Sequence, residues 1–381
     1  MTSATIDPHV EYKMTTNGLT NGIDIVALKA AARAQVHFEL ESSLPTPLEL
    51  TRSLKAYPTS DLTPAIGTTF EKIDIHAILN SPECDAKIRD LAIIIARRGV
   101  CVFPNQADLT IEDQKTLCHK LGRLTCRPYS SGLNIHPLNQ STMPDGSVDP
   151  ALATLTRDPS KKLVKQAGFG FRFAKQKQSG ADGWHTDCSY ENVPADFTLL
   201  HMKTTPVTGG DTLFASAYEM YDLLSTPYAK FLEGLNATFT PPGHTPENIV
   251  DRMWKGPRGS PENVGPELCA SHTIIRTNPV TGWKALYGTG HHMEGVDGLA
   301  QEESDMIKHH LERLITDNHQ LQVRVKWAPD TLVVWDNRSC YHTATFDYTD
   351  ERSANRICGC GEKPYLDVRS SSRRYALGLK K

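Results

Sequence analysis

The chain has 381 residues, 41 Lys+Arg against 44 Asp+Glu for a formal net charge of −3, and 39% hydrophobic, 7% aromatic and 22% charged residues; its mean hydropathy is −0.39. That is apolar material for a sizeable core, too little for a membrane protein, and too even a mixture for collagen, low-complexity or disordered chains. With no excess of positive charge there is no whole-chain field to hold a polyanion, so nucleic acid is not expected as a partner; nor is a membrane, since the longest apolar stretches, such as Leu91 to Ala96, fall far short of the roughly 20 residues that span a bilayer.

Residues 1–65 lack sustained periodicity and are punctuated by Pro45, Pro47, Pro58 and Pro64, with one helix expected from Ile25 to about Leu40. They read as an amino-terminal extension packing on a main domain over residues 66–381. From Asp85 to Arg98 an apolar helical run ends at Gly99, and Val100 to Phe103 reads as a buried strand. Thr110 followed by Asp113 resembles a capping box, and the Leu117 and Leu121 stripe leads to Gly122, where the helix is expected to stop. Between about 123 and 215 the chain turns to short β-rich pieces such as Phe197 to Met202, joined by long loops. Ser216 with Glu219 starts a helix, Thr226 as cap and Pro227 as first-turn proline start the next, and Leu299 to Thr316 forms the longest. Leu321 to Trp327, Thr331 to Trp335 and Arg356 to Cys360 read as closing strands. Short strands with long connections and no regular strand-helix alternation point to a mainly β fold with flanking helices, a jelly roll, rather than a parallel sheet.

Nine scattered cysteines, an odd number, come without the charged-then-apolar leader of a secreted chain, and no carboxy-terminal targeting signal is readable. Reduced thiols and a cytoplasmic location are expected. Cys358-Gly359-Cys360 lacks the second pair a structural zinc site needs and reads as alternation in a core strand.

Four segments fit His-x-acid: His9 with Glu11, His37 with Glu39, His185 with Asp187, and His292 with Glu294. Two imidazoles and a carboxylate on one face of a metal leave the opposite face free for substrate and dioxygen, as in non-haem Fe(II) oxygenases. In a strand, i and i+2 project to one side, so His185 and Asp187 can reach one ion while Thr186 points away. His342 is a candidate for the third ligand. His291-His292 and His309-His310 read as solvated pairs, and Asp336 and Asn337 as turn-ordering residues.

The surroundings of His185 set it apart. Trp184-His185-Thr186-Asp187, then Thr208-Gly209-Gly210-Asp211-Thr212, then Trp335-Asp336-Asn337-Arg338 with His342, Arg352 and Arg356 downstream, resemble the taurine dioxygenase family of Fe(II)- and 2-oxoglutarate-dependent oxygenases. The likeness runs from about Asp85 to about Tyr365. It implies a double-stranded β-helix, the cupin-like form of the jelly roll, with Fe(II) held by His185, Asp187 and His342. It also implies 2-oxoglutarate and O2 as co-substrates, a small-molecule substrate oxidised at an unactivated C–H bond by hydroxylation, desaturation or ring closure, and release of succinate and CO2. Thr212 matches the threonine that touches 2-oxoglutarate, Arg356 the arginine that clamps its distal carboxylate, and Arg352 a second arginine near the site. No catalytic group beyond the metal centre is implied.

Where the family carries His-Ile-His-Pro, whose second histidine helps hold a sulfonate, this chain reads Thr125-Cys126-Arg127-Pro128. Arg127 at that position suits a carboxylate or phosphate at least as well, which favours a small acidic substrate such as an amino acid over taurine. By family position Cys188, Ser189 and Tyr190 neighbour the substrate pocket. A sulfonate dioxygenase proper, a zinc-type hydrolase and a non-catalytic jelly-roll binding protein remain the alternatives, and homo-oligomerisation is left open. Arg276, in a segment read as structural, is a further residue within reach of the pocket.

Overall fold

A computed structural model describes residues 47–143, 145–158, 163–165 and 178–379, all in one compact unit that spans 45–381. The helix expected over 25–40 and the pairs at His9 and His37 lie outside the described residues. Residues 47–65 are tied to the body: Asp90 accepts from the backbone of Thr51 and Ser53 at 2.8 Å each, and Thr59–Asp61 pairs with Thr68–Phe70.

The chain is mainly sheet. Eight strands run side by side in the order Thr59–Asp61, Thr68–Phe70, Val100–Phe103, Leu332–Asp336, Ala195–Thr204, Arg352–Cys360, Ala153–Asp158 and Leu163–Lys165. A second sheet places Thr212–Ser216 between Gln322–Val325 and Cys340–Ala344, antiparallel to both. Period-two alternation explains how the sheets share a core. Val100 and Val102, Leu200 and Met202, Val333 and Trp335, and Ala354 of the large sheet meet Phe214, Val325 and Cys340 of the small one in one buried cluster. The intervening residues, Cys101, Phe103, Phe197, Leu199, Leu332, Val334 and Ile357, face outward and are covered by two helices, Cys84–Arg98 and Ile111–Arg123. On the far side of the small sheet, Ala215 and Tyr341 pack beneath Ile307, Leu311 and Ile315 of the helix Gln301–Thr316.

Helix Cys84–Arg98 ends where Gly99 takes φ 76°, and the Thr110–Asp113 capping box is formed as the sequence suggests. The expected stop at Gly122 is corrected. Its helix continues to Arg123, because Gly122 serves packing instead: a Cβ there would sit 2.2 Å from the Arg127 guanidinium. The cap expected at Thr226 is corrected: Thr226 is already helical and Ser225 is the N-cap residue, with Pro227 in the first turn as expected. Among the described residues, no helix is long and apolar enough to cross a membrane.

Candidate active site

His185 and His342 are brought together by backbone pairing. Each donates its N–H to the other's carbonyl, at 3.0 and 2.9 Å, in an isolated antiparallel bridge, and their rings lie 4.2 Å apart between centroids. His342 sits on the inner face of Cys340–Ala344, the same face as Cys340 in the shared core. The strand expected through His185 and Asp187 is not there. The chain leaves the bridge after His185 and turns through Asp187–Tyr190, with Cys188 at φ 54°. Asp187 is therefore aimed by side chains rather than by strand alternation. Its N–H donates to Asn337 Oδ1 at 3.0 Å, and its Oδ2 accepts from Thr198 Oγ1 at 2.8 Å. Asn337 in turn donates to Thr198 Oγ1 and to the Asp196 carbonyl.

This convergence puts one donor atom from each of His185, Asp187 and His342 within 4.8 Å of the other two, the arrangement a single metal ion requires. Asp187 Oδ1 lies 4.0 Å from His185 Nε2 and 3.9 Å from His342 Nε2. The protonation states fit a metal. His185 Nδ1 is 2.7 Å from the Gly183 carbonyl, which can only accept, so the proton sits on Nδ1 and Nε2 presents its lone pair. Burial pushes the His342 imidazole down to about 3 and lowers His185 as well, so both are neutral at pH 7. Burial alone would raise Asp187, but the Arg356 guanidinium, the two imidazoles and the Thr198 hydroxyl outweigh it and hold the carboxyl below its ordinary range.

The three donors open into a cavity of about 140 Å³, walled by Leu155, Leu200, Trp335, Phe346 and Tyr348. Thr212, Arg352, Arg356, Cys188 and Tyr190 line it. Arg356 donates from Nη1 to Asp187 Oδ1 at 3.0 Å. Arg352 is buried, donates from Nε to the Gly210 carbonyl at 2.9 Å, and among the described residues has no hydrogen-bond partner for Nη2. Its guanidinium lies 5.8 Å from the Trp327 ring, whose Nε1 donates to Thr212 Oγ1 at 3.0 Å. Ser189 is not among the lining residues; its hydroxyl faces His292 Nδ1 at 2.9 Å, one layer back.

Arg127 is not brought to this cavity. Its side chain is wholly buried against Asp196, with Nε and Nη2 at 2.7 and 2.6 Å from the two carboxylate oxygens. The charge expected to meet substrate is neutralised inside the wall, and Gly122 and Gly359 leave the space it fills. Arg276 likewise turns away, to Glu362 and the face of Tyr287. The reading of His291 and His292 as solvated is also corrected: both line the cavity, and His292 is buried, with its ring 5.4 Å from that of His185 and 5.1 Å from that of Tyr190. His309 and His310 are exposed.

Sequence reasoning missed His136, Arg157, Thr198 and the role of Asn337. His136 lines the cavity, accepts from the Leu138 N–H through Nδ1 at 3.1 Å, and is pushed by burial down to about 3, so it is neutral with its proton on Nε2. Thr198 was readable only as one residue of an apolar strand; strand parity gave it the inner face.

The family model for taurine catabolism dioxygenase TauD, TfdA family, matches residues 58–360. The chain is 43% identical over 341 residues to the alpha-ketoglutarate-dependent dioxygenase btcD of Neocamarosporium betae, spanning 87% of this chain and 98% of that protein. It is 40% identical over 368 residues to the alpha-ketoglutarate-dependent dioxygenase esdpJ of Penicillium shearii, spanning 87% and 96%. Among solved structures, a putative alpha-ketoglutarate-dependent taurine dioxygenase from Burkholderia xenovorans superposes with a TM-score of 0.61 at 21% identity, over 82% of this chain and 92% of that one, a likeness of fold.

Proposed function

The chain belongs to the TauD/TfdA family of Fe(II)- and 2-oxoglutarate-dependent dioxygenases, and from that premise we propose that His185, Asp187 and His342 are the iron ligands and that Arg352 with Thr212 seats the distal carboxylate of 2-oxoglutarate. The observation that carries the reading is the convergence of three donors, already in their metal-binding protonation states, on one wall of the cavity.

Iron held by His185, Asp187 and His342 would let dioxygen oxidise a substrate C–H bond, with 2-oxoglutarate giving up the other two electrons as it becomes succinate and carbon dioxide. The protein's part is positional. Thr198 and Asn337 hold Asp187 from behind, so its Oδ1 stays turned toward the two Nε2 atoms. The Gly183 carbonyl fixes the His185 tautomer. Leu155, Leu200, Trp335 and Phe346 keep the reacting end poor in water.

Arg356 matches the family's carboxylate clamp by sequence, yet Arg352 is the better seat. Arg356 already donates to Asp187, whereas no carboxylate among the described residues lies within ion-pair distance of Arg352. A buried guanidinium without a counter-charge is costly, and a bound carboxylate removes that cost through paired hydrogen bonds. Arg356, beside Asp187 and in the cavity wall with Tyr190 and Cys188, is then the cation that meets the substrate. A small acidic substrate remains the favoured class, on Arg356 rather than Arg127. The two facing sheets are read as the halves of a double-stranded β-helix, and a cytoplasmic location is retained.

Anaerobic loading with Fe(II) and 2-oxoglutarate, then exposure to air with a panel of amino acids, other carboxylates and sulfonates, should release succinate with one class of small acid. His185→Ala and Asp187→Ala should abolish it, and Arg352→Gln should raise the KM for 2-oxoglutarate. Succinate formation at the parent rate in the ligand variants would remove the assignment.

A further inference from the structure

Arg157 was not singled out by its sequence context, and the ligand set above does not use it. It lies on the strand Ala153–Asp158, which pairs antiparallel with Arg352–Cys360, and the register sets Arg157 directly opposite Arg352. Residues directly opposite in an antiparallel pair share a face, their Cβ atoms about 4.5–5.5 Å apart. Both arginines line the cavity that holds the candidate iron ligands and Thr212.

Like charges directly opposite each other destabilise a strand pair, and more so away from water. Here the second guanidinium is held in place: Arg157 lies over the Tyr348 ring at 4.7 Å and the Phe346 ring at 5.3 Å from the centroids. Tyr348 also adjoins Arg352, since a Cβ on Gly210 would stand 3.1 Å from both Arg352 Cδ and Tyr348 Cδ1. Tyr348 thus flanks both cations. A pair of aligned cations on a cavity wall, braced by aromatic rings, is built for an anion that both can reach.

We propose that Arg157 is a second co-substrate-positioning residue, joining Arg352 so that two guanidinium groups share the distal carboxylate of 2-oxoglutarate. The inference rests on the seat assigned to Arg352 above. It makes the cavity selective for keto acids that end in a carboxylate, and the preference should weaken in steps as each arginine is removed.

The test measures anaerobic binding of 2-oxoglutarate and of 2-oxovalerate, which has the same chain length without the distal carboxylate, to the Mn(II)-loaded protein by calorimetry. Arg157→Gln should weaken 2-oxoglutarate about tenfold to a hundredfold, the range for a hydrogen bond to a charged group, and leave 2-oxovalerate unchanged. Arg157→Lys should recover part of the loss, since it restores charge but not the fork. Unchanged 2-oxoglutarate affinity in Arg157→Gln, or equal losses for both keto acids, would overturn the proposal. Arg352→Gln is the separate control: if it does not weaken 2-oxoglutarate, the seat itself is wrong, whereas a loss there with none in Arg157→Gln refutes only the second arginine.

Discussion

Replacing Arg127 by alanine separates a wall-building role from a substrate-binding one. Both side chains of the Arg127–Asp196 pair are 0% exposed. Truncation strands the Asp196 carboxylate, leaving it among the described residues with one short contact from the Phe197 N–H, and opens a void beside Gly122 and Gly359. Breaking one half of a buried ion pair costs about 3–5 kcal/mol, a large share of the 5–15 kcal/mol that usually separates folded from unfolded domains. The urea unfolding midpoint of the metal-free protein should fall accordingly. The paired change Arg127→Met with Asp196→Leu should cost far less than Arg127→Ala alone, because it removes the stranded charge. Gly359→Ala should behave like the single truncation, since its new Cβ would sit 1.8 Å from Arg127 Nη2 and must push the guanidinium off Asp196. An Arg127→Ala protein with an unchanged midpoint and a raised KM for substrate would refute this account.

Three further outcomes are expected. Thr198→Val keeps the shape of the side chain but removes the hydroxyl that donates to Asp187 Oδ2; Mn(II) affinity by calorimetry should drop about 10–100-fold, the usual cost of losing such a supporting contact. Metal that binds only the folded chain should stabilise it, by about 2.7 kcal/mol at a hundred times its Kd, and this gain should vanish in His185→Ala. Burial pushes His136 down to about 3 and His272 down to about 4, while in the unfolded chain both titrate near 6.5. Below about pH 6.5 the unfolded chain therefore takes up protons that the folded one refuses. Stability should be fully present above that pH and fall as pH drops toward 3–4, by about 1.4 kcal/mol per histidine between pH 7.5 and 5.5. Equal urea midpoints at those two pH values would contradict the burial of these imidazoles.

Local signals in the sequence carried the helices and strands that pack this site. The Thr110–Asp113 box and the glycine after Arg98 act within one turn, and the apolar runs at 197–202 and 332–335 are buried on both faces, so composition alone marks them. The His185-x-Asp187 motif, Thr212 and the two downstream arginines stand out as candidates in the sequence because chemistry restricts which residue types can serve and the order of motifs is specific, but which arginine faces which carboxylate is not written in that order. What spacing along the chain does not encode is the partner across space. Whether Arg127 meets a substrate or Asp196 depends on a strand 69 positions away; whether His292 is wet or dry depends on Ser189 and Tyr190 folding over it. The pairing of Arg157 with Arg352 is a matter of strand register. Long-range pairing decides which charges are neutralised and which are left facing the cavity, and only the folded chain makes that choice.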